Sequence, residues 1–162
     1  MGRKKGKEGA FQARGTSPLR NCIVNERSVV LSSKQLGASI MDASKILTEL
    51  PNGMKELKDA GRADKIPDLI ALNRSTARDL DGFVAEKTKL DATLEEHIAS
   101  RPKDQSLLAD HNSRTLSIGN DYVELGQKMI GTVGKSTEQI IEILTPDDDA
   151  SAEPAQIEEA VV

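Results

Sequence analysis

Apolar residues recur every three or four positions through most of this chain, with polar residues between them. From Pro67 to Ser100, the residues Leu69, Leu72, Thr76, Leu80, Phe83, Lys87, Leu90, Leu94 and Ile98 share one face of a helix. That helix would be about 50 Å long at about 1.5 Å per residue. Pro67 suits a first helical turn, because its missing N–H would have no partner there, and Asp68 beside it complements the helix dipole. A second stripe runs Leu108, His111, Thr115, Ile118, Tyr122, Leu125, Met129, Thr132, Ser136, Ile140 and Ile143, and closes at Thr145-Pro146. Arg101-Pro102 separates the two stripes, so they are expected to fold back as an antiparallel helical hairpin.

A shorter first helix is predicted upstream. Ser32 and Gln35 fit a capping box, and Leu36, Ile40, Ala43 or Ser44, and Leu47 supply its apolar face. Pro51-Asn52-Gly53 reads as its end, followed by an amphipathic piece from Met54 to Ala60 that stops near Gly61. Before it, Cys22-Ile23-Val24 and Val29-Val30-Leu31 flank a polar tetrapeptide, a pattern suited to a small hairpin or one extended segment. Four glycines interrupt the last stripe. Gly131 and Gly134 predict a bend or break there, each costing about 1 kcal/mol relative to Ala. Gly119 and Gly126 admit two readings, another break or a close approach by a neighbouring helix. Thr76, Lys87 and Ser136 place polar groups on the seams, where they would set register or mark partial exposure.

The expected fold is therefore all-α, an elongated helical hairpin or bundle with about three main helices. Residues 1–31 read as a basic extended arm with a short apolar β-prone segment, 32–145 as the helical bundle, and 146–162 as an acidic flexible tail. Composition agrees. Phe11, Phe83 and Tyr122 are the only aromatic residues, and Trp is absent, which disfavours a β-sandwich or barrel. No apolar run approaches the roughly 18 residues of a membrane span, and no apolar stretch follows the basic start as a secretory signal would require.

The net charge of −4 conceals a polarity. Arg3, Lys4, Lys5, Lys7, Arg14 and Arg20 against Glu8 give the first twenty residues +5. Asp147, Asp148, Asp149, Glu153, Glu158 and Glu159 give the last eighteen −6. The six cations suit sequence-independent contact with phosphates or with an acidic partner, and with Phe11 alone beside them base stacking has little support.

Candidate chemistry is sparse. Gly131-Thr132-Val133-Gly134-Lys135-Ser136-Thr137 ends like a P-loop, but Met129 stands where the first glycine belongs, and the segment lies on a helical stripe. His97 and His111 flank the Pro102 turn, yet Leu94 and Leu108 occupy the positions where a bundle metal site would carry Glu, so both histidines read as seam or surface residues. Glu95-Glu96 and Asp147–Asp149 show no sign of the burial or forced pairing that acid–base work needs. Cys22 lacks a convincing nucleophile partner. No cofactor, metal or small-molecule substrate is expected, and no enzyme.

Three helices would leave a fourth side apolar, to be covered by a second copy or another protein. Expected seam residues are Leu69, Leu72, Leu80, Phe83, Leu90, Leu94, Ile118, Tyr122, Leu125, Met129 and Ile140. The organisation points to a non-enzymatic structural or assembly protein, cytoplasmic or in a virion or phage particle. Alternatives are a sequence-independent nucleic-acid-binding accessory protein and a cytosolic helical adaptor or chaperone.

Overall fold

The computed structural model describes residues 17–146, which are helical throughout apart from short connections. Four α-helices follow in order: α1 (Pro18–Ser44), α2 (Leu50–Asp59), α3 (Ile66–Ala99) and α4 (Leu108–Leu144). Short 3-10 turns at Lys45–Glu49, Ala63–Lys65 and Gln105–Leu107 join them. No strand occurs among the described residues.

The α1 helix starts fourteen residues before the predicted Ser32 and absorbs the segment expected to be β-prone. The Ser17 hydroxyl accepts the Arg20 N–H at 3.3 Å, and Pro18 takes the first helical position, so the start is capped there. Ser32 instead donates to the Ser28 carbonyl at 3.3 Å, one turn back along a continuing helix. What makes 22–31 helical is a buried stripe of Cys22, Glu26, Val29, Leu36 and Ile40, spaced for a helix rather than a strand. Arg20, assigned to an extended arm on sequence grounds, is an exposed residue of the first turn. Arg3, Lys4, Lys5, Lys7 and Arg14 lie outside the described residues, as does the acidic segment from Asp147 onward.

Pro51-Asn52-Gly53 does not end a helix but sits in the opening turns of α2, where proline is tolerated. Gly61, at φ +74°, follows the end of α2 in the left-handed conformation that glycine adopts without penalty. The α4 helix runs unbroken through Gly131 and Gly134, against the predicted break. Both glycines face open space, and the buried stripe continues beyond them at Ser136. Tertiary packing of that stripe outweighs the local propensity loss.

The chain forms two compact units. Within the described residues, unit 1 takes 17–40 and 83–128, and unit 2 takes 41–82 and 129–146.

In unit 1, three helical segments enclose a core of Cys22, Val29, Leu36, Phe83, Leu94, Leu108, Ile118, Tyr122 and Leu125. Contacts between His97 and Thr115 and between Asp91 and Tyr122 set α3 antiparallel to α4, as the Pro102 turn predicted. Cys22 meets Leu108, and Asn25 meets Asn112, so α1 runs parallel to α4. Gly119 lets α1 approach: a Cβ there would lie 3.1 Å from Val29, closer than an ordinary contact, whereas one at Gly126 would sit at an ordinary 3.7 Å from Leu36. The close-approach reading is realised at Gly119.

In unit 2, Leu57, Leu69, Thr76, Leu80, Met129 and Ser136 are buried. Gly53 allows α2 to meet α3 closely, since a Cβ there would fall 2.8 Å from the Leu69 side chain. Arg62 donates to the carbonyls of Ile143 at 2.8 Å and Leu144 at 3.2 Å, placing a cation on the negative end of α4.

Candidate docking groove and the charge hub beneath it

Among the described residues, one face of α1 in unit 1 lacks a helix partner. Ile23, Arg27, Val30, Leu31 and Lys34 recur there at helical spacing, with Val24 beside them. Together with Ile98 and Arg101 they line a groove of about 670 Å³. Its apolar lining is open to solvent, with Val24 44% and Leu31 54% exposed. Arg27 and Lys34 have no ion pair among the described residues. The surface is thus apolar in its middle and cationic on its rim.

The wall of this groove is fixed by a buried charge. Glu26 is 3% exposed and lies on the inward side of α1. Its carboxylate accepts from Arg101 Nε at 3.0 Å and from the second guanidinium arm, and from His111 Nε2 at 2.8 Å. One side chain of α1 therefore ties down both the segment after α3 and the first turns of α4. Burial acts to raise the Glu26 carboxyl, but the hydrogen bonds from Arg101 and His111 outweigh it and hold the group below its ordinary range. An ionised carboxylate only accepts, so His111 carries its proton on Nε2.

The network extends inward. The His97 and His111 rings stack with centroids 3.8 Å apart and planes 11° from parallel. Thr115 Oγ1 donates to the His111 carbonyl at 3.1 Å, so the contact of 2.8 Å between Thr115 Oγ1 and His97 Nε2 requires an Nε2–H donor on His97. Burial, then the neighbouring His111, push the His97 imidazole below its usual pKa. Cys22, fully buried, donates weakly to the Leu108 carbonyl at 3.4 Å. Burial, reinforced by the Glu26 charge, raises its thiol. Glu26 bonds both Arg101 and His111, and no trio of His, Cys, Asp or Glu among the described residues is placed to hold a metal ion.

A second polar node, more exposed than the first, lies further along unit 1. Asp91 accepts from Ser33 at 2.7 Å, Lys87 at 2.7 Å and Tyr122 at 2.5 Å, which outweighs burial and keeps its carboxyl below the ordinary value. Burial, then the Asp91 carboxylate, raise the Tyr122 phenol. The stem of Lys87 passes over Gly37, which accounts for a lysine on an apolar stripe.

Comparison of the chain with protein families, with curated proteins and with solved structures finds no match.

Of the predicted seam residues, Leu69, Leu80, Phe83, Leu94, Ile118, Tyr122, Leu125 and Met129 are buried. Leu72, Leu90 and Ile140 are half-buried. They build the internal cores and do not form a single external face. The segment resembling a P-loop is regular α4 helix, with Thr137 Oγ1 donating to the Val133 carbonyl at 2.9 Å. Its backbone donors serve the helix and form no phosphate cradle. His97 and His111 are seam residues, and no local pattern in the sequence signals their stacking or the bond from His111 to Glu26. No helix of the described residues is long and apolar enough to cross a membrane.

Two further concavities differ in character. One, of about 800 Å³, lies in unit 1 between Glu86, Lys89 and Leu90 of α3 and Asp121, Glu124 and Lys128 of α4, with charges of both signs. The other, of about 210 Å³, is an apolar recess of unit 2 bounded by Ile46, Leu50, Gly53, Leu69, Ile140 and Leu144.

Proposed function

We propose that this is a non-enzymatic helical assembly protein that associates with copies of itself through the α1 groove of unit 1. The observation that carries the proposal is the exposed apolar stripe of Ile23, Val24 and Leu31 beside Ile98, held rigid from below by Glu26. Exposed apolar residues scattered singly are ordinary, whereas a contiguous apolar groove with a charged rim fits an interaction surface. A rigid wall also lowers the ordering cost of association.

Native mass by light scattering over a wide concentration range tests this reading. Self-association that rises with concentration, and that falls about tenfold or more in the Ile23→Glu/Leu31→Glu variant, is the expected result. A wild-type chain that stays monomeric at every concentration would overturn it.

A further inference from the structure

We propose that the groove receives the acidic C-terminal segment, residues 147–162, of a second copy of this chain. The inference rests on the assembly reading above and names the occupant.

The groove dictates the chemistry of what fills it. Its apolar centre asks for aliphatic side chains, and its rim of Arg27 and Lys34 asks for anions. Two copies of the groove placed face to face would bring like charges together, which disfavours a symmetric contact. A nucleic-acid backbone would neutralise the cations but leave Ile23, Leu31 and Ile98 uncovered. An acidic peptide with aliphatic anchors satisfies both demands.

This chain contains one such stretch. Residues 147–162 carry Asp147, Asp148, Asp149, Glu153, Glu158 and Glu159 with no basic residue, and they also hold Ile157, Val161 and Val162. The spacing of Ile157 and Val161 is that of one helical face. Among the described residues, the only acidic group at the groove is Glu26, which is already committed to Arg101 and His111. The groove is built wholly from residues of unit 1, and a segment supplied by a second copy meets it without constraint from a connecting chain. Such a contact joins unlike surfaces and, repeated, makes rings or open chains.

The test is a charge exchange in the full-length chain. One variant reverses the groove rim (Arg27→Glu/Lys34→Glu), and the other reverses the segment (Asp147→Lys/Asp148→Lys/Asp149→Lys). Each alone juxtaposes like charges and should weaken self-association about tenfold or more. Mixed in equal amounts, they present opposite charges again and should recover the wild-type mass distribution. Circular dichroism and thermal melting of each variant should match wild type, since Arg27 and Lys34 are exposed and Asp147–Asp149 are outside the described residues. If both variants associate as wild type does while Ile23→Glu/Leu31→Glu does not, the groove remains an assembly surface and the acidic segment is not its occupant. Failure of the mixture to recover association would overturn the proposal as well. A wild-type chain that is monomeric throughout removes both readings together.

Discussion

Replacing Glu26 by Gln keeps the shape of the hub and removes its charge. The amide oxygen can still accept from His111 and from Arg101 Nε, which share one carboxylate oxygen in the wild type. The amide nitrogen then faces the other guanidinium arm, donor against donor. Arg101, at 31% side-chain exposure, can turn that arm to water, so the variant should fold. Hydrogen bonds to a charged group contribute about 1.5–3 kcal/mol, and neutral ones about 0.5–1.5. Two bonds weakened and one lost, offset by the easier burial of an amide, give a net loss of about 2–3 kcal/mol at neutral pH. That corresponds to a melting temperature lower by about 10 °C for a chain of this size. Urea unfolding followed by circular dichroism measures it. The pH dependence is the sharper check. Because the folded Glu26 pKa lies below its ordinary 4.5, its contribution is complete above that value and is lost as pH falls through the folded pKa. The gap between wild type and Glu26→Gln should therefore narrow below pH 4.5. Both chains should already weaken as pH falls below 6.5, because the folded His97 imidazole resists protonation while the unfolded one does not. A loss under about 0.5 kcal/mol at neutral pH, or a gap that widens on acidification, would refute the hub.

Three other outcomes are expected. Gly131→Ala and Gly134→Ala face open space and should each raise stability by about 0.5–1 kcal/mol, whereas Gly119→Leu must displace Val29 and should lower it by about 1–3 kcal/mol, all read by urea unfolding. Tyr122 is the only tyrosine and there is no Trp, so near-ultraviolet absorbance follows its phenol alone; ionisation should come well above the ordinary pH for tyrosine, and a normal titration curve would contradict the Asp91 contact. Cys22, the single cysteine, should resist a neutral thiol reagent in the native chain and react on unfolding, with labelling read by mass spectrometry.

The two long helices were legible because their stripes alternate threes and fours, with Lys87 the one charged side chain on them. Even Thr115 and Ser136, polar residues on a seam, are buried where the spacing put them. The first half of α1 was not legible for a local reason. Its stripe has the same spacing, but Glu26 occupies one position, and a lone glutamate reads as solvent-facing. Its burial depends on Arg101 and His111, 75 and 85 residues away, and no local pattern discloses that pairing. The runs Cys22–Val24 and Val29–Leu31 then looked like strands because one residue of each belongs to the core stripe and the other two to the groove. The unbroken helix at Gly131 and Gly134 shows the same limit, since propensity weighs single residues and packing weighs the whole stripe.

The interleaving of the two units bears on the order in which the chain is made. Residues 17–40 emerge first, but their unit is completed only by 83–128. At about 5–20 residues per second, the first helix waits roughly 4–18 s for the surfaces that bury Cys22, Val29 and Leu36. Neither unit is one contiguous stretch of chain, so a chain stopped before Leu108 leaves the inner face of its first helix open, thiol included. Thiol labelling of ribosome-bound chains of graded length would thus date the closure of the first core to within a few residues.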